Sequence, residues 1–196
     1  RVGPAPVVAH TGRWERARWR VRRRGVSRSV AADAWLQAFS AGEATDYLAG
    51  VELLRAHPAL REDLRFPDVG PLCVDVVWIG PEGTETPLHF DLAPNIYVQL
   101  QGRKRWRMYA PGTPLEPRFS GLQGAFLTSN LDVHDGLERA GTPHVDVVLE
   151  PGDLLYLPSR WWHRVDTLEP SIAANRWWWG RSGANLPALA AAEPLT

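Results

Sequence analysis

The sequence predicts a mainly β domain, a sandwich or closed barrel, with a helical cap ahead of it. Three observations carry this. Short apolar segments rich in Val, Ile, Leu, Tyr and Trp recur from Leu72 to Trp179, each too brief for a helix. Turn residues separate them: Gly80-Pro-Glu-Gly83, Gly102, Pro111-Gly-Thr-Pro114 and Pro151-Gly-Asp153. Helical signals, by contrast, fall in residues 1–70, with a short helix or a disordered segment as the two readings of the alanine-rich tail from Ala184.

Taken in order, the chain opens on Pro4 and Pro6 with a short apolar piece, Val7-Val8-Ala9. Arg13–Arg24 holds seven arginines around Trp14 and Trp19. Arg18, Arg20 and Arg22 alternate with Trp19 and Val21, so a solvated edge strand is expected; a grip on RNA or an acidic peptide is the alternative. Ser29 can cap a helix whose apolar face is Ala34, Trp35, Ala38 and Phe39, closed by Gly42. Residues 46–54 start extended and turn helical, Pro58 suits the first turn of a short helix, and Pro67 ends the cap. Strands are expected at 73–79, 86–91, 95–101, 104–109, 145–149, 154–157, 163–167 and 172–179, with a short one at 125–128 inside a long loop, 112–142. One domain is expected over 1–196: cap 1–70, β core 71–183, alanine-rich tail 184–196.

Composition narrows the classes. Lys plus Arg equals Asp plus Glu at 22 each, so no global charge steers the chain to nucleic acid or a membrane. One cysteine, Cys73, excludes an intrachain disulfide and a cysteine-rich zinc site. No apolar run approaches membrane-spanning length and no signal-peptide pattern is seen, so a soluble cytoplasmic protein is the expectation.

The chemistry concentrates in His89-Phe-Asp91. Side chains two apart in a strand share a face, so an imidazole and a carboxylate aim at one point. A buried carboxylate is costly unless paired or metal-bound. A third ligand must come from elsewhere, and His163, after Trp161-Trp162, is the candidate. Two histidines and a carboxylate leave half an octahedron open, as in non-heme iron oxygenases. Zinc accepts the same donors, but no general base stands beside them. A second pair, His144-Val-Asp146, reads as an edge-strand decoy; His10, His57 and His134 read as loop or cap residues, and the late tryptophans mostly as barrel filling.

The wider pattern resembles a known family, the JmjC and cupin-like iron(II)/2-oxoglutarate oxygenases, and within it the asparaginyl hydroxylases acting on hypoxia-inducible factor and small bacterial relatives. The resemblance rests on Thr86-Pro-x-His89-x-Asp91 with Asn95, then Gln99-x-x-Gly102-x-Lys104-Arg105. It continues in Glu150-Pro-Gly-Asp-Leu-Leu-Tyr156-Leu-Pro158, Trp161-Trp162-His163 and Asn175-x-Trp177, and more loosely in Tyr47-Leu48 and Pro58-x-Leu60. It implies a double-stranded β-helix (a jelly roll) with His89, Asp91 and His163 on Fe(II). Thr86 and Lys104, the chain's only lysine, would hold the distal carboxylate of 2-oxoglutarate. Asn95, Tyr97 and Asn175 would line the co-substrate pocket, and Trp177 would face the substrate.

Implied, then, is a dioxygenase that uses Fe(II), 2-oxoglutarate and O2 to hydroxylate a peptide or protein side chain, giving succinate and CO2. The same chemistry on a small molecule or RNA base, or N-methyl-lysine demethylation, stays open. A non-catalytic metal-binding cupin is disfavoured by intact Thr86 and Lys104. A nucleic-acid or membrane partner is not expected, and a homodimer stays open.

Overall fold

The computed structural model describes residues 6–10, 27–64, 66–114, 126–128 and 141–179. Arg13–Arg24, His134 and the tail lie outside them. The described chain is mainly β, as expected, with two five-stranded antiparallel sheets forming a jelly roll.

At the front, β1 (Pro6–His10) pairs with β2 (Ser27–Ala31). Ser29 is therefore a strand residue rather than the residue from which the helix starts. Helix α1 (Ala32–Ser40) starts from Ala31, which offers no side-chain cap. Its buried face is Ala32, Trp35 and Phe39: Trp35 and Phe39 are buried as expected, whereas Ala34 is exposed and Ala38 half-buried. Gly42 does end it, at φ 76°, with its N–H on the Phe39 carbonyl. Strand β3 (Leu48–Val51), helix α2 (Leu53–Ala56) and a 3-10 turn (Pro58–Glu62) follow.

The barrel strands are β4 (Cys73–Gly80), β5 (Glu85–Asp91), β6 (Asn95–Gln101), β7 (Lys104–Tyr109) and β8 (Phe126–Thr128). They continue with β9 (Val145–Leu149), β10 (Leu154–Leu157), β11 (Trp162–Thr167) and β12 (Ser171–Trp178). One sheet runs β10-β6-β12-β4-β3, the other β8-β5-β11-β7-β9. The front is thus less separate than its helical signals suggest, because β3 pairs with β4 and extends the first sheet.

Two apolar clusters sandwich that sheet. Trp35, Phe39, Leu48 and Leu53 cover its outer face with Val77, Ile79 and Ala174. Tyr97, Trp106, Met108, Leu157 and Val165 fill the interior. Trp162 and Trp178 are buried filling as expected, whereas Trp179 is 45% exposed. Among the described residues, no helix is long and apolar enough to cross a membrane.

Candidate metal centre

Strand alternation brings Asn95, Tyr97, Lys104, Trp106, His163 and Val165 to the wall of one interior cavity. Strand β5 departs from regular alternation. His89 lies opposite His163 and Thr86 opposite Val165, so three steps along β5 match two along β11. That extra residue is a bulge, which reverses the phase of β5 and lets Thr86 and His89, three apart, line the same cavity. Pro87, with no N–H for a ladder, falls within it.

The register of β5 and β11 sets the two imidazoles side by side, with ring centroids 4.1 Å apart and planes tilted by 53°. One ligand atom each from His89, Asp91 and His163 lies within 4.8 Å of the others, and all three residues are buried. The Nδ1–H of His163 donates to the Trp161 carbonyl at 3.0 Å, which leaves Nε2 with its lone pair. Burial, reinforced by His89, holds the His163 pKa well below its ordinary value, so the ring stays neutral.

Asp91 is held asymmetrically. Its Oδ2 accepts from Trp177 Nε1 at 2.8 Å and from Asn95 Nδ2 at 3.1 Å. Its Oδ1 is buried without a hydrogen-bond partner and stands 3.8 Å from His89 Nε2. Burial pushes the carboxyl pKa up, against the His89 charge and the Trp177 N–H that pull it down. An orphaned carboxylate oxygen beside two imidazoles is what a cation would satisfy. The donor set fits iron(II).

The far end of the cavity is cationic. Lys104 is 1% exposed; its Nζ is 3.5 Å from the Tyr47 hydroxyl and 5.4 Å from that ring's centroid. The hydroxyl hydrogen-bonds Thr86 in turn, and burial pushes its pKa up. No carboxylate among the described residues pairs with Lys104, and burial pushes its pKa down to about 7. A buried ammonium without a counter-ion suits an anionic guest.

All nine residues singled out from the sequence line this cavity. Three of them spend polar atoms on the protein: Asn95 on Asp91, Asn175 on Trp78 Nε1 at 2.8 Å, and Tyr97 on Gln99 Oε1 at 3.0 Å. Sequence reasoning missed Tyr47, Trp78, Trp106 and Val165. Tyr47 carried a weak signal through Tyr47-Leu48, but its partner Lys104 is 57 residues away. His144 and Asp146 take no part in the centre, and neither does His57.

The cupin-like domain family matches residues 27–183. Jumonji C domain-containing protein 5 of Drosophila melanogaster is 34% identical over 151 residues, 70% of this chain and 38% of that protein. Lysine-specific demethylase 8 of Xenopus tropicalis is 33% identical over 67% of this chain and 32% of its own length. Human HSPB1-associated protein 1 is 32% identical over 67% and 30%. The chain thus spans well under half the length of these relatives. With the match running from β2 past the end of β12, and the facing histidines inside it, the chain belongs to the cupin-like, JmjC-type domain family.

Proposed function

We propose that the chain is an iron(II)- and 2-oxoglutarate-dependent oxygenase that hydroxylates a C–H bond of a peptide or protein side chain, releasing succinate and CO2. One observation carries this reading: a buried set of two histidines and a carboxylate shares its cavity with a buried ammonium lacking a carboxylate partner among the described residues. His89, Asp91 and His163 would hold the iron. When bound, iron supplies oxidising chemistry with O2 that no side chain can provide.

The chain's own residues bind, orient and shield. Lys104 and the Tyr47–Thr86 hydroxyl pair offer one charged and two neutral groups for a carboxylate. Asn175, fixed by Trp78 Nε1, gives that pocket a rigid polar wall. Trp106 stacks on the His163 ring at 5.5 Å and keeps water from it. The rim at Trp177 is the side from which a substrate would reach the metal.

A protein substrate accords with the relatives' names, one a lysine-specific demethylase and one associated with HSPB1. Those names also favour a second reading, demethylation of N-methyl-lysine, in which the same oxidation strikes an N-methyl C–H. Incubation with iron(II), 2-oxoglutarate and a peptide library, read by succinate release and mass spectrometry, separates the two. Hydroxylation adds one oxygen to the peptide; demethylation removes a methyl group. No succinate with any peptide and no uncoupled turnover overturns both.

A further inference from the structure

We infer that Trp177 and Asn95 are positioning residues that make Asp91 a one-oxygen metal ligand by saturating its other oxygen. The inference rests on the metal centre proposed above and concerns how the chain prepares it.

Each oxygen of a carboxylate has room for about two hydrogen bonds. Asp91 Oδ2 already accepts two, from the Trp177 indole N–H and the Asn95 amide. Only Oδ1, buried and without a hydrogen-bond partner, retains capacity. The two donors stand opposite each other in neighbouring strands, with Trp177 paired to Asn95 across β12 and β6. Both approach from the sheet facing the one that carries Asp91.

The donor from β12 is itself braced. The Trp177 ring meets Trp78 edge-on at 6.1 Å and 65°, and Trp78 Nε1 is tied to Asn175. The Asp91 backbone is pinned from a third direction. The N–H of Arg160 donates to the Asp91 carbonyl at 2.8 Å, and Arg160 holds a left-handed φ of 66°, rare for a residue with a side chain. The carboxylate thus can neither swing nor turn its second oxygen to a cation without breaking neutral hydrogen bonds. Trp177 and Asn95 act on the metal through Asp91, whatever else they touch.

The test isolates one N–H. Trp177 is replaced by its benzothiophene analogue, which keeps the bicyclic shape and puts sulfur in place of the N–H; Trp177→Phe serves if that chain does not fold. Mn(II) affinity is measured by calorimetry, Co(II) coordination by visible absorption, and the metal-free unfolding midpoint alongside. We expect the Mn(II) Kd to rise about 10–100-fold and the Co(II) bands to change, with the metal-free midpoint falling because a buried carboxylate loses one donor. An unchanged Kd with unchanged bands overturns the inference, because a packing role alone predicts that result. Failure of the unaltered chain to bind Mn(II) would instead remove the metal centre itself, and the two failures are told apart by that control.

Discussion

The chain contains the same tripeptide pattern twice, and the two copies meet opposite fates. His89-Phe-Asp91 ends β5, which has β8 on one side and β11 on the other. His144-Val-Asp146 leads into β9, which among the described residues is an edge strand paired only with β7. In the first copy both side chains are buried; in the second His144 is exposed and its Nδ1 bonds the Thr142 carbonyl. The carboxylates differ most. Asp91 receives two neutral N–H donors on one oxygen and none on the other, and burial raises its pKa. Asp146 is gripped by the Arg105 and Arg107 guanidiniums, with Arg105 doing most to lower its pKa. Asp91, the proposed ligand, has neutral N–H donors where Asp146 has two guanidiniums.

The largest effect should come from exchanging the fates directly. Asp91→Asn or His163→Ala should abolish Mn(II) binding and succinate formation, while His144→Ala should leave both unchanged. Losing a residue behind a ligand costs 10–100-fold in metal affinity, so losing a ligand should cost more than about 100-fold. Calorimetry on the three variants measures this, and retained Mn(II) binding by Asp91→Asn would break the comparison.

What could be read in advance follows from range. Strands β6, β7, β9 and β10 match their expected bounds because alternation and flanking turns are local properties. The Asp91 and His89 pairing was visible for the same reason, being two apart in a strand. Thr86 and His89 were another matter. Three residues apart, they belong to opposite faces of a regular strand, and only the β5 bulge reconciles them. The resemblance pointed to Thr86 with no geometry behind it. Ser29 misled because its cap signal is local while its pairing with β1 is not. Tyr47 went unassigned because nothing near it in sequence reveals that Lys104 lies over its ring.

Next in size is the anion end of the cavity, which sharpens the contrast between a ligand set and a charge site. Lys104→Met should leave Mn(II) affinity intact and weaken 2-oxoglutarate by about 10²- to 4 × 10³-fold, the 3–5 kcal/mol lost when a buried pair loses one partner. The Lys104 pKa of about 7 lies below its ordinary 10.5, so between those values the unfolded chain holds more protons. The ligand-free protein should therefore gain stability as pH rises through that window, and the Met variant should lose this dependence. The dicarboxylate needs the ammonium, so its affinity should fall above about pH 7, with proton uptake on binding. Calorimetry in buffers of different ionisation enthalpy reads that uptake; none at pH 8 would contradict the assignment.

A smaller effect is expected one layer out, at Gly80. A Cβ there would stand 2.5 Å from Tyr47 Cδ2, closer than real contacts allow. Gly80→Ala should therefore push the Tyr47 ring off Lys104, costing about 1–3 kcal/mol in stability by overpacking. The 2-oxoglutarate Kd should rise several-fold and the Mn(II) Kd should stay put, since Gly80 borders only the anion end. Equal losses in both would mean that the two ends are not separable.

The smallest effect belongs to the copy that binds nothing. Asp146→Asn removes the charge that Arg105 and Arg107 share across β7 and β9, at a partly exposed edge. Exposed pairs are worth about 0.2–1 kcal/mol, and the two-arginine fork should sit at the top of that range. Because the Asp146 pKa is depressed in the fold, its contribution is present above the ordinary 3.8 and fades as pH falls through the folded value. The variant should thus match the parent in acid and fall behind it by about 1 kcal/mol near neutrality in urea unfolding. Metal affinity and succinate formation should not move, and a drop in either would show that the edge copy reaches the centre after all. Two matching tripeptides would then differ in degree, whereas burial between two neighbouring strands makes them differ in kind.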